Sequence, residues 1–130
     1  MNKLTFLGAC ALTIAVGACS KHKCDLSSDA DKQAFGDIAA MTGGAFSCMV
    51  SNGELIASHG DTTVDAIVTK YKAFLEKEGW KVTVEDYKGQ RANGKPLEGK
   101  LIGSEKGGKK AVTLVYPLAE TLIETNTAVK

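Results

Sequence analysis

Charge of one sign is missing from this sequence. Sixteen Lys and Arg stand against fifteen Asp and Glu in 130 residues, a formal net charge of +1. No field of that kind draws DNA, RNA or bulk anionic membrane to a protein. Aromatic side chains are sparse, and neither an internal repeat nor a low-complexity segment is present, which excludes solenoids and compositionally biased tails. No apolar run reaches the roughly 20 residues of a membrane-spanning helix, because the longest one stops at Ser20-Lys21-His22-Lys23.

Catalytic vocabulary is equally thin. A metal centre would have to gather His22, Cys24, Cys48 and His59 without any C-x-x-C or H-x-x-x-H spacing to help, so no metal is expected. Gly94-Lys95 lacks the rest of a P-loop, and no carboxylate pair is set out for glycoside chemistry. Ser58-His59-Gly60-Asp61 holds the letters of a triad, but neighbours on one strand cannot adopt its geometry. Cys48 and His59 would make a thiolate–imidazole nucleophile only with a third, orienting group that the sequence does not supply. An enzyme is the least supported class, and no cofactor is expected beyond a covalent lipid.

What is present begins at the N-terminus. Met1-Asn2-Lys3 is followed by LTFLGACALTIAVGA, fifteen residues without a charge, in the layout of a secretory signal. Val16-Gly17-Ala18-Cys19 then resembles the lipobox of bacterial lipoproteins: an aliphatic residue, two small ones, and the cysteine. Small residues let the chain lie extended in a peptidase groove, and the thiol accepts lipid. Leu7-Gly8-Ala9-Cys10 mimics the pattern, but cleavage there leaves an apolar stretch of about six residues, short of the usual 7–15, so it is set aside. The resemblance implies a diacylglyceryl thioether on Cys19, removal of residues 1–18 and acylation of the new amino group. Ser20, in place of the Asp that retains lipoproteins at the inner membrane, implies an outer-membrane, periplasm-facing address. Three acyl chains at ~0.8 kcal/mol per buried methylene make such an anchor effectively permanent.

Residues 19–130 then form the mature chain, with fifteen basic residues against fifteen acidic ones. Residues 19–27 make a lipidated terminus and tether, and 28–130 a single small domain with enough chain for one core. Two cysteines remain in it, Cys24 and Cys48. In an oxidising compartment an isolated pair reads as one disulfide.

The domain reads as α+β, in two layers, with the order αββαββββ. A first helix is expected over Asp29–Met41, capped by Ser27 or Ser28, with Ala34, Phe35, Ile38 and Met41 on one face and Gly43-Gly44 ending it. Asn52-Gly53 predicts a type I′ hairpin. That turn fixes a register in which Val50 faces Leu55, Cys48 faces Ala57 and Phe46 faces His59, all six on one packed face. The long helix carries Val64, Ile67, Val68, Tyr71, Phe74 and Leu75 as a continuous stripe. Thr62 and Asp65 suggest its capping box and Gly79 its stop. Strands follow at Trp80–Tyr87, near Leu97–Gly103, at Lys109–Tyr116 and at Thr121–Thr127, making an antiparallel sheet of five to six strands in all. Lys88–Pro96 is read as a loop. VDAIVTKYKAFLEKEGWKV is similar to the helix-then-strand units of small envelope lipoprotein domains, including the helix-grip domains of a β-barrel assembly lipoprotein, a likeness of about 20 residues that carries no functional residue across.

Two basic loops complete the candidates: Lys88, Arg91 and Lys95 in one, and Lys106, Lys109 and Lys110 in the other. If they meet, they offer contacts to phosphates, headgroups or an acidic partner, against the plainer reading of solvated turns. The expectation is a membrane-anchored lipoprotein with a non-catalytic binding or scaffolding domain, its partners being membrane lipid through acylation and another envelope protein. The alternative is a small hydrophobic-ligand binder. Scaffolding predicts an exposed apolar patch over a filled core, and ligand carriage an internal cavity between the long helix and the sheet.

Overall fold

The computed structural model describes residues 24–26 and 28–130. Cys19, expected to carry lipid, and residues 1–18, expected to be a signal segment, lie outside the described residues. The fold is α+β with one antiparallel sheet. Helix α1 (Asp29–Phe35) and a 3₁₀ turn (Ala39–Thr42) precede β1 (Ser47–Ser51) and β2 (Glu54–Gly60). Helix α2 (Val64–Lys77) leads to β3 (Lys81–Gln90), β4 (Pro96–Lys106), β5 (Lys109–Ala119) and β6 (Leu122–Val129). The six strands lie in the order β1-β2-β6-β5-β4-β3, every neighbouring pair antiparallel. Helix α2 carries the chain across one face, from β2 to the far edge at β3.

The apolar stripe of α2 explains its seat. Ile67, Tyr71 and Leu75 are buried, while Val64, Val68 and Phe74 flank the same core. Beneath it lie Leu55 and Ala57 of β2, Ile123 of β6, Val115 of β5 and Ile102 of β4, all almost fully buried. A Leu or Ile so placed stabilises the fold by roughly 1.5–3 kcal/mol. Thr63, one residue later than expected, caps the helix: its hydroxyl accepts from the Ala66 N–H at 3.1 Å, while the Thr62 N–H is turned to the Thr121 carbonyl. Gly79, at φ +94°, lets the Trp80 N–H reach back to the Leu75 carbonyl.

The first helix is shorter than its pattern suggested. It ends at Phe35 instead of Met41, and the path continues through i→i+3 bonds, Ile38 N–H to Phe35 O and Met41 N–H to Ile38 O. The reason is in the spacing. Phe35, Ile38 and Met41 recur every three residues, which keeps them on one face in a three-residue turn, and all three are buried.

The β1–β2 hairpin has Asn52 and Gly53 both at positive φ, as a type I′ turn requires. Val50 pairs with Leu55 and Cys48 with Ala57. Phe46 departs from the expected packed face. Strand β1 begins only at Ser47, and Phe46 leaves the core 52% exposed, near Gly60, while Ala45 is buried instead. The loop expected over Lys88–Pro96 shrinks to Arg91–Lys95, because Lys88–Gln90 continue β3 and pair with Glu98–Pro96. Pro117 sits inside β5 where the register slips between Pro117 and Ala119, the kind of irregularity that tolerates a missing N–H.

These connections define two ends of the sheet. At the upper end β1 begins, β2 ends, α2 begins, and the β3–β4 and β5–β6 turns lie. At the lower end are the Asn52-Gly53 and Gly107-Gly108 turns and the last turn of α2. No helix among the described residues is long and apolar enough to cross a membrane.

Candidate functional site

Cys24 and Cys48 meet at the outer edge of β1. Their sulfurs are at bonding distance and their Cα atoms 4.5 Å apart. The Thr42 hydroxyl sits 2.9 Å from one sulfur and 3.5 Å from the other. Residues 24–26 run beside β1 in the same direction: Asp25 bridges Met49 in parallel, and its N–H donates to the Cys48 carbonyl at 3.2 Å. The segment thus covers part of the β1 edge, an edge that otherwise invites pairing with another chain.

His59 is 3% exposed. Its Nε2 lies 2.7 Å from the Tyr71 hydroxyl, which in turn lies 2.9 Å from Thr125 Oγ1. Burial, and secondarily the Lys70 ammonium, lower the imidazole pKa to about 4. Burial likewise raises the Tyr71 phenol well above its ordinary value. A neutral imidazole closed in by a tyrosine and a threonine is a satisfied polar link between α2 and the sheet, not an accessible base. Thr113 and Thr127 pair similarly at 2.9 Å. Among the described residues no three His, Cys, Asp or Glu side chains converge as a metal site would require.

The two basic loops lie at opposite ends of the eleven-residue strand β4, about 33 Å apart, so they do not form one patch. Three of their six cations serve the fold. Lys106 donates to the Glu78 carbonyl at 2.6 Å, at the C-terminal end of α2 where the helix dipole favours a cation. Lys109 pairs with Asp37 at 3.1 Å, fastening the α1 region to β5. The Arg91 guanidinium donates to the Pro117 carbonyl at 2.7 Å. Lys88 lines an open groove of about 320 Å³ between the start of α2 and β3–β4, together with Asp65, Asp86, Glu98 and Lys100. Its charges nearly balance, and Lys100 is already paired with Asp86, whose carboxyl it holds below the usual range. Lys95 and Lys110 are exposed.

The remaining feature is the sheet face that α2 does not cover, which residue-by-residue reading of the sequence missed. Strand registers align Met49, Ile56, Asn126, Leu114, Leu101 and Glu85 directly across all six strands. Met49 is 50% exposed and Val112, beside this row, 43%. Tyr116 lies on the same face, its hydroxyl donating to Glu124; burial first and that carboxylate second raise its pKa. The signal was present as Leu101, Val112 and Leu114 on strands that alternate apolar on both faces, but only the strand order joins them to Met49 and Ile56. Asn126 Oδ1 is buried in this row with no hydrogen-bond partner among the described residues. An unpaired buried acceptor costs roughly 1–3 kcal/mol, so Asn126→Val, even though it also gives up the side-chain hydrogen bond to Tyr116, is expected to raise the urea midpoint by the equivalent of about 1 kcal/mol. An unchanged or lower midpoint would show that Asn126 is satisfied.

Compared with models of known families, with curated proteins and with solved structures, the chain matches none.

Proposed function

We propose that this chain is an outer-membrane lipoprotein, lipidated on Cys19, whose domain works as a non-catalytic docking module for another envelope protein through its open sheet face. The observation that carries the docking half is the apolar row Met49–Ile56–Leu114–Leu101, with Val112 beside it, left uncovered by the described residues on a sheet whose other face is packed by α2. Its margins favour a protein partner over lipid. Glu54 and Ser51 border the row at one edge and Glu85 and Thr83 at the other, while the cations of this face, Lys81, Lys110 and Lys130, gather at its lower end. With Glu54 and Glu85 at its two edges, the apolar row complements an apolar strip bordered by Lys or Arg. The hydrophobic-ligand alternative has less to support it, because the space between α2 and the sheet is filled by Tyr71, Leu75, Ile102, Val115 and Ile123.

The lipoprotein half rests on the Val16–Cys19 junction. Cys19→Ala is expected to abolish both incorporation of labelled palmitate and sedimentation with membranes; label that persists would sink it. For docking, a photo-crosslinking residue at Val112 in intact cells is expected to give one discrete protein adduct, lost on Leu101→Lys, and none when placed at Lys72 on the wet side of α2. Adducts equal at both positions, an adduct of twice the chain's own mass, or a lipid adduct alone would each overturn the reading.

A further inference from the structure

We propose that the upper end of the sheet sits on the bilayer, with Phe46 and Leu118 entering the headgroup layer and the strands standing roughly along the membrane normal. The inference rests on lipidation of Cys19 and adds to it an orientation and a contact surface. It starts from the direction of the chain at its pinned edge. Residues 24–26 run parallel to β1, so Cys24 is the end of that segment nearer the start of β1, and the Cys24–Cys48 link and the Asp25 bridge hold it there.

Length then limits the choice. Only Ser20 to Lys23 separate Cys19 from Cys24, and those five steps span at most about 18 Å. Cys48 lies in the strand row of Ala57, Thr125, Val115 and Lys100. From that row to the lower end is six residues of β4, Lys100 to Lys106, or about 20 Å. To the upper end it is four, or about 13 Å. Along β4 the lower end is out of reach in extension, while along β1 the Asn52-Gly53 turn is four residues or about 13 Å away, so length excludes a seat on the whole lower end and the course of residues 24–26 selects the upper end, which is within reach.

Two of the five exposed large apolar side chains among the described residues also stand at the upper end. Phe46 is 52% exposed just before β1, and Leu118 46% exposed near the end of β5. With β2 and β6 between them, they sit about 14 Å apart across the sheet, two separated points that resist rocking on a short tether. Asp61 and Glu120 share this end with Arg91 and Lys95, so the contact is apolar and does not depend on anionic lipid. The orientation turns the open sheet face sideways, parallel to the normal, where a neighbouring envelope protein has access to it.

Depth-sensitive quenching tests this on the full lipidated chain reconstituted in phosphatidylcholine vesicles with brominated acyl chains. Phe46→Trp and Leu118→Trp, both at exposed positions, are expected to lose a larger share of their emission in the brominated vesicles than the parent, whose Trp80 is buried near the lower end. Met49→Trp and Lys77→Trp are expected to keep the emission they have in unbrominated vesicles. Quenching at Lys77 equal to that at Leu118 overturns the end-on orientation. So does quenching at Phe46 and Met49 without Leu118, which would mean that the β1 edge lies flat. No quenching at Phe46 or Leu118 while Cys19 carries palmitate overturns the contact and leaves the lipoprotein reading intact. Absence of palmitate on Cys19 removes both.

Discussion

Loss of the Cys24–Cys48 link is expected to lower the stability of the domain by roughly 3.5 kcal/mol, on the loop-entropy account of a closed loop of about 25 residues. Against the ~5–15 kcal/mol of a typical domain, that is a large share. The loop it closes contains α1, the 3₁₀ turn and the approach to β1, the part of the chain with the least regular hydrogen bonding. Ala39–Thr42 and Phe35–Met41 hold together by short i→i+3 bonds and by burial of Phe35, Ile38 and Met41. Urea unfolding of the oxidised chain against Cys24→Ala/Cys48→Ala measures the difference. Equal midpoints, or two titratable thiols in the unfolded, unreduced chain, would show that no bond forms. The removal also frees residues 24–26 from the β1 edge, and the same variant is expected to lose protection of the Asp25 amide in hydrogen exchange.

What was legible in the sequence follows the range of the interactions. The α+β class, the stripe of α2 and the Asn52-Gly53 turn were readable because each is set within about a dozen residues. Val50 against Leu55 follows from two φ angles alone. The break at Gly36 was not read, since Phe35, Ile38 and Met41 satisfy a helical and a 3₁₀ spacing almost equally. The pairing of Cys24 with Cys48 was an expectation from count and an assumed compartment, whereas the parallel run of residues 24–26 beside β1 depends on where β1 comes to lie. The open face was least legible of all. Leu101 and Leu114 become neighbours of Ile56 only because β6 inserts between β2 and β5, a pairing between residues some 70 positions apart. The basic loops show the converse: close in composition, they are parted by the length of β4, and Lys106 and Lys109 are occupied by Glu78 and Asp37.

Acidification from pH 7 to pH 5 is expected to destabilise the domain by about 2 kcal/mol through His59 alone. The imidazole is held to about pH 4 in the fold against 6.5 when unfolded, by burial first and by Lys70 second. The folded pKa is the lower one, so the unfolded chain binds the proton first. The stability it contributes is complete above about pH 6.5 and is lost as pH falls toward 4, where the loss approaches roughly 3 kcal/mol. Structure gives the shift its cause. His59 Nε2 faces the Tyr71 hydroxyl, Tyr71 faces Thr125, and no carboxylate stands among these partners to receive an imidazolium. Asp86, the carboxyl held low by Lys100, is exposed and titrates below this window. Unfolding midpoints in urea at half-unit intervals from pH 7 to pH 5 read the slope, and His59→Gln separates it from everything else that titrates. The variant is expected to start lower, having lost the bond to Tyr71, but to run nearly flat over the same interval. A wild-type curve as flat as the variant's would mean that His59 takes up its proton in the folded state as readily as in the unfolded chain, and that the link between α2 and β2 opens to water.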